Sequence, residues 1–509
     1  MVVDKKSYKK FDLGFIIWIG ILAISLVNKT LQNDTFYTIK IGESIFKNGI
    51  DMLDHFSWHL NLPYTYPHWL YDCFIYVIYK NSGFTGIYIS SIILYFILLL
   101  IVHKVNIKIT KNHSMSALAT FICALSIGGF VTARAQLVSF ILFAMEIYFI
   151  ECFLISGNKR NLIGLLLISL IICNVHVAVW PFYYIVYIPY LMEYVVSAIA
   201  SKIKIKKENK FISFFKKRIV LEKNNNIKYL FIVMILSTVT GLITPIGDTP
   251  YTYIIKTMMG NSQKYIQEHQ MMGWIESPFT IIIAFETIFL SFFSKAKLRD
   301  LFMICGLVIM SVISVRHLSL LALVGTICFC RIFATFLDNF DFNVDALIIP
   351  IIRRKKVVYG IFVVTIIASI VIFSFQAKKE YIDEEMYPIG AVKYIKENIN
   401  IDDMLIFNDY NFGSYLLLND IPVFIDSRAD LYTKQFNKLD YDIFDDYQFI
   451  ARNYQSKFEF YGITHVLIYK KENPLYNILK TDSSFKVLYE DEYFVFYERT
   501  GNSMFIIIN

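Results

Sequence analysis

Between Asn33 and Leu70 the chain reads NDTFYTIKIGESIFKNGIDMLDHFSWHLNLPYTYPHWL, a polar stretch with Asp34, Glu43, Asp51, Asp54 and three histidines, His55, His59 and His68. It follows an apolar run, Leu13–Val27, and is too long and polar for a hairpin between two membrane helices. TFYTIKIGESIF spaces Phe36, Ile39, Ile41 and Ile45 among polar residues, the pattern of a helix lying along a membrane surface. Asp34 precedes it at the N-cap position. That places a carboxylate, a group suited to act as a base, at the junction of membrane and water where a lipid phosphate also sits. The competing reading, a solvated loop with aromatic anchors at the interface, accounts less well for this spacing.

Other residue types extend the chemistry. Arg134 and the pair Arg316-His317 stand alone at ends of apolar runs. A cation there either marks a span boundary or binds a phosphate, which arginine does bidentately. Asn174 and His176 interrupt a long apolar stretch, Asn161–Trp180, and are expected to face the protein interior or a cavity. Asp54 and His55 are candidates for acceptor binding or for a metal, together with Glu268 and His269; the alternative for each is a hydrogen-bonded polar group at a helix end. In FIDSRADLY, Asp426, Arg428 and Asp430 follow a strand and read either as an internal ion-pair network or as a contact to an acceptor or glycan. No Walker loop, G-x-G-x-x-G or H-E-x-x-H is present, which argues against an ATP-driven pump, a Rossmann nucleotide-sugar site and a zincin.

The elements that would position these groups are mostly helices in a bilayer. The chain of 509 residues is 56% hydrophobic and only 18% charged, where a soluble protein carries about 25% charge. Apolar runs recur near 12–29, 67–80, 84–103, 115–132, 135–155, 161–180, 182–200, 229–245, 278–294, 299–315, 318–335 and 357–375, predicting about eleven to thirteen helices. Lys/Arg-rich loops at Ser201–Lys228, Ser294–Arg299 and Arg353–Lys356 are expected in the cytoplasm, as is the basic N-terminus. The net charge of +7 resides largely in the first of these loops and is no sign of nucleic-acid binding. Counting spans forward from Met1 and backward from Ser201 gives opposite sides for Lys104–Lys111, so one short early run is either re-entrant or divided differently. The seven cysteines lie in or beside apolar runs without metal spacing and read as buried thiols. From about Gln376 the composition changes. The tail predicts a helix over Gly390–Glu397, strands at Met404–Phe407, Pro422–Ile425, His465–Tyr469, Phe485–Tyr489 and Tyr493–Tyr497, and a turn served by Gly413 leading into a helix or strand over Gly413–Leu418. The expectation is a polytopic α-helical membrane domain over 1–375, with a first outer loop at 30–66, and a small α/β extracytoplasmic domain over 376–509.

The ordered set of motifs resembles the GT-C superfamily of membrane glycosyltransferases. Asp34, Gly42-Glu43, Gly49-Ile50, Asp54-His55-Phe56-Ser57 and Trp69-Leu70 are similar to the first outer loop of its bacterial and archaeal members. ARAQLVSFILF, CNVHVAVW, TPIGDTPYTY, SVRHLSLLAL, YPIGAVKYI and IFNDYNFGSYLLLNDIPVFIDSRADLY resemble later segments in the same order. Departures are Phe36 and Tyr37 for tryptophans, Thr38 for a histidine, His68 for an acid, Ala135 for a proline and Thr244 for an asparagine; they bear on substrate more than on fold. The resemblance implies a polyprenyl-phosphate or pyrophosphate sugar donor, and hexosyl or pentosyl transfer to a glycan, lipid or protein acceptor on the outer face, with inversion. It makes Asp34 the catalytic acidic residue. Some members use a divalent ion such as Mg or Mn and others do not. The chemistry fits: an acceptor hydroxyl attacking an anomeric carbon needs a base, and a phosphate leaving group needs cations more than an acid.

Two other classes remain. A transporter would show matched halves with broken helices and ionisable groups near the bilayer midplane, whereas the charges here cluster at span ends and no repeat is evident. A catalytically silent scaffold of the same fold stays open, because fold does not dictate activity.

Overall fold

The computed structural model describes residues 5–202, 218–260, 262–266, 269–271, 278–352 and 354–500. A helix stands at each apolar run. In chain order these are α1 (Lys5–Leu26), α2 (Asn33–Asn48), α3 (Trp69–Thr110), α4 (His113–Ile127), α5 (Ala135–Ser156), α6 (Arg160–Val175), α7 (Trp180–Lys202) and α8 (Ile227–Thr240). There follow α9 (Thr249–Met259), α10 (Pro278–Ser291), α11 (Leu298–Ile313), α12 (Leu318–Asp338), α13 (Val344–Ile352) and α14 (Lys355–Lys378), then α15 (Ile389–Asn398) and α16 (Tyr410–Leu418) in the tail. Helix α3 is two helices joined at Gly83, whose φ of 58° and ψ of −156° suit glycine alone. The break falls between the runs at 67–80 and 84–103.

Among the described residues, five helical segments are long and apolar enough to cross a membrane: Trp69–Thr110, His113–Phe130, Ala135–Ser156, Val177–Lys202 and Val315–Asp338. Shorter apolar helices accompany them, among them α8 and α10. Their outer faces expose Ile235, Leu236, Phe285 and Phe289, as helices bathed in acyl chains do. The chain is a membrane protein with a mostly helical body and a small C-terminal sheet.

Contacts divide the chain into two compact units. The first holds residues 1–28, 88–250 and 267–378. Within it a buried ion network joins four helices. Arg331 on α12 bonds Glu151 on α5 (2.6 Å) and Asp300 on α11 (3.0 Å), while Arg299 reaches Glu193 on α7 (3.0 Å) and Glu151 (3.3 Å). Taking such charges out of water is costly, so each survives only by mutual pairing, and removing one partner leaves an uncompensated charge.

The second unit holds residues 29–87, 251–266 and 379–509, so the stretch after α1 folds with the tail. Helix α2 packs on α16. The Phe36 ring meets Tyr387 and Tyr415 edge-on at 5.0 and 5.5 Å, and the Asn33 amide donates to the Tyr410 carbonyl at 3.0 Å. The sheet has strands β1 (Ile406–Asn408), β2 (His465–Tyr469), β3 (Phe485–Glu490) and β4 (Phe494–Arg499) in the order β1-β2-β4-β3. β1 runs parallel to β2, and β4 pairs antiparallel with both β2 and β3. The helix, β2 and the final hairpin match the sequence pattern. Pro422–Ile425 is not a ladder strand. The Asn408 side chain takes the Phe424 amide (2.9 Å) and the Ile425 carbonyl (2.7 Å), and the remaining pairing is a single bridge from Val423 to Ser57. Nor does Gly413 make a turn. It lies inside α16, where a Cβ would collide with the Ile425 carbonyl and the Asp426 backbone. Only glycine lets α16 approach this closely.

Gly413→Ala is therefore expected to destabilise the second unit by about 1–3 kcal/mol, the usual cost of overpacking. A thermal unfolding scan checks this; an unchanged midpoint would show that the contact yields freely.

Candidate functional site

Helix α2 begins at Asn33, with Gln32 in an extended conformation at the cap and no side-chain cap bond. Asp34 is thus the second helical residue rather than the N-cap. Its carboxylate stands in the first turn, where the helix dipole favours negative charge. Tyr37 and Thr38, three and four residues on, share its face. The Tyr37 hydroxyl and His68 Nε2 lie 2.9 Å apart, and His68 Nδ1 lies 2.7 Å from Asp72 Oδ1. Tyr37 and Asp72 are buried, and His68 is nearly so. This Tyr37–His68–Asp72 chain locks α2 to the start of α3 and so fixes the helix that carries Asp34. It was not singled out from sequence, although the i,i+4 spacing of His68 and Asp72 signals it.

Asp54 and His55 part company. His55 is exposed and pairs with Asp51 at 2.6 Å. Asp54 is buried and accepts from Arg428 Nη1 at 2.6 Å and from the Ser57 amide at 2.9 Å. Arg428 in turn donates through Nε (2.9 Å) and Nη2 (2.7 Å) to Asp426, which also accepts from Tyr432. The Tyr64 ring lies 5.0 Å from the guanidinium. Burial alone would raise the Asp54 carboxyl, but the Arg428 charge and the Ser57 bonds outweigh it and hold it below its ordinary value. Of the two readings of FIDSRADLY, Asp426 and Arg428 realise the buried ion network. Asp430 accepts from the Tyr253 hydroxyl on α9.

His59 lies beside this network, its Nε2 2.8 Å from the Phe424 carbonyl. Burial depresses it to about 4, against weaker opposing pulls from that hydrogen bond, Asp54 and Asp426.

In the first unit the cationic candidates share a neighbourhood. Arg134 immediately precedes α5. One turn in, Gln136 donates to Ser319 at 3.2 Å and Ser139 bonds His176 Nδ1 at 3.0 Å. Ser319 follows Arg316 and His317, whose imidazole bonds the Met310 carbonyl at 2.9 Å and packs 5.2 Å from Phe182. The N-terminal turn of α5 is thus tied both to the α6–α7 junction and to the turn bearing Arg316. Arg316 makes no ion pair among the described residues and is half-buried. The Val315 amide donates to the Gln270 carbonyl at 3.0 Å, which brings His269 to the same turn. Asn174 is buried and donates to the Leu170 and Ile243 carbonyls at 2.9 and 3.1 Å. Glu268 lies outside the described residues. Among those described, no three carboxylate, imidazole or thiol groups gather as a metal ion would require.

With fold and site in view, the chain can be set beside known proteins. No protein-family model matches the sequence, and no curated protein does. Solved structures of an archaeal membrane oligosaccharyltransferase share its fold. The apo oligosaccharyltransferase of Archaeoglobus fulgidus superposes with a TM-score of 0.58 at 9% identity, covering 89% of this chain and 69% of that one. The same enzyme tethered to an acceptor peptide containing an NVT sequon gives 0.55 at 10% identity, covering 89% and 68%. The archaeal oligosaccharyltransferase AglB of Archaeoglobus fulgidus, in complex with an inhibitory peptide and a dolichol-phosphate, gives 0.55 at 9% identity, covering 91% and 69%.

The His59 shift has a measurable consequence. Its pKa is lower folded than unfolded, so its contribution to stability is full above about 6.5 and is lost as pH falls toward about 4. The loss is up to about 3 kcal/mol at 1.36 kcal/mol per unit. Unfolding midpoints from pH 7.5 to 4.5 should fall in the wild type and fall less in His59→Gln, which keeps a donor for Phe424. Equal slopes would refute the assignment.

Proposed function

We propose that this chain is an integral-membrane glycosyltransferase that moves a sugar from a polyprenyl-phosphate or pyrophosphate carrier to an acceptor on the outer face of the membrane. The reading rests on one observation above all: a carboxylate, Asp34, in the first turn of α2, the helix that follows α1, in a chain whose fold resembles that of an oligosaccharyltransferase. The archaeal complex with dolichol-phosphate supports the class of donor, and the complex with a tethered peptide supports an acceptor that meets it.

In this reading the acceptor hydroxyl attacks the anomeric carbon. The new C–O bond forms as the bond to the carrier phosphate breaks, and the hydroxyl proton passes to the Asp34 carboxylate. In-line attack inverts the anomeric centre. The departing phosphate is stable as an anion and needs a cation beside it, a part for which Arg134 and Arg316 are the candidates. His269 and His317, beside Arg316, are further candidates at the phosphate. The C-terminal domain from about residue 376 stands outside the membrane and the N-terminus in the cytoplasm, the arrangement the basic loops favour.

Transfer is measured in reconstituted vesicles with a panel of polyprenyl-phosphate sugars. Asp34→Asn should retain its unfolding midpoint and lose transfer by about 10²-fold or more, the usual share of a general base. Undiminished transfer would remove Asp34 from the mechanism. Arg316→Gln should lower transfer by about 10²-fold, as expected for loss of one oxyanion partner, and should weaken inhibition by added polyprenyl phosphate. Unaltered inhibition would place the phosphate elsewhere.

A further inference from the structure

Helix α9 has two faces of opposite character. Thr249, Tyr253 and Thr257 are buried. The Tyr253 hydroxyl donates to Asp430 and its ring meets Phe436 edge-on at 5.5 Å. Lys256 lies over the same Phe436 ring at 5.8 Å. This face therefore grips the turn that follows Arg428. The other face carries Tyr251, Ile255, Met258 and Met259, a spacing of i, i+4, i+7 and i+8 that draws a continuous stripe along a helix. These side chains are 37, 57, 70 and 68% exposed.

A water-facing surface does not leave such a stripe uncovered. What covers it follows from the chain on its N-terminal side. α8 is an apolar helix with Ile235, Leu236 and Val239 exposed, and the short link to α9 adds Leu242 and Ile243 at 70 and 60%. Exposed apolar residues thus continue along the sequence from α8 through the link into α9. With 11 residues α9 is too short to span a bilayer, which takes about 20. Its only charged residue is Lys256, a cation that suits the headgroup level and opposes no anionic lipid.

We propose that α9 is an interfacial helix that seats Tyr251, Ile255, Met258 and Met259 in the bilayer surface, while its inner face holds the Asp430–Phe436 turn. Lipid then serves as the partner that positions this turn. The inference does not rest on glycosyl transfer, and its test needs none.

Spin labels are placed on Ile255→Cys and Met258→Cys, and on Lys438→Cys as an exposed control, in the full chain in phospholipid nanodiscs. The native cysteines are buried or half-buried, and the wild type treated with the label sets the background. The proposal predicts that oxygen relaxes the labels at 255 and 258 more than a water-soluble nickel chelate does, with the order reversed at 438. Greater nickel access at 255 and 258 would overturn it. Spin–spin broadening that disappears on dilution with unlabelled protein would overturn it too, by making the cover a second copy of the chain. In a second variant, Ile255→Asn with Met258→Asn, both side chains are exposed and folding should be retained. A label on Met259→Cys should then shift from oxygen access to nickel access; no shift would contradict the proposal.

Discussion

The guanidinium of Arg428, buried between Asp54 and Asp426, ties two pieces of chain that are 374 residues apart in sequence. One piece is the polar stretch after the first helix, and the other is the loop that follows the edge of the C-terminal sheet. A buried ion triad is a poor device for adding net stability, because desolvation consumes much of the attraction. It is a good device for register. Arg428 presents five donors in a fixed fork, and Asp426 and Asp54 take them from opposite sides. A shift of one residue on either strand would bury a charge without its partner. The bridge from Ser57 to Val423 and the Asn408 amide then align the backbones around the same point.

Much of the remaining geometry of the second unit follows from that constraint. Once Val423–Asp426 is held, Gly413 allows α16 to lie against it, and α16 carries Tyr415, on which Phe36 of α2 packs. Asp34 stands two residues before Phe36. The base of the proposed reaction is thus placed by packing on a glycine-permitted contact and by the Tyr37–His68–Asp72 chain. The first unit has its own rigid element in the Glu151–Arg331–Asp300 and Arg299–Glu193 pairs, and its cationic turn is braced by Gln136, Ser139 and His176.

The helices and the final strands were legible in the sequence because hydrophobic period and turn residues are local signals. The order of motifs carried the fold class. What was illegible depends on distant partners. Nothing near Arg331 indicates that it pairs with Glu151, 180 residues away. Pro422–Ile425 has strand composition, but its hydrogen bonds go to the Asn408 side chain and the Ser57 loop, which composition does not reveal. Gly413 looked like a turn because glycine marks turns more often than close approaches. Asp54 and His55 are adjacent in sequence and so invited one role, whereas the chain turns one inward to Arg428 and the other outward to Asp51. His68 replaces an acid of the resembling family, and its significance emerges only with Asp72 and Tyr37 beside it.

The central claim is that the stretch bearing Asp34 and the tail fold as one body through Arg428. Hydrogen exchange read by mass spectrometry, on wild type and Arg428→Met in nanodiscs, tests it most directly. The account predicts that protection is lost together over 52–64 and 422–432, while α5 exchanges as in the wild type. Loss confined to 422–432, with 52–64 as protected as before, would contradict it.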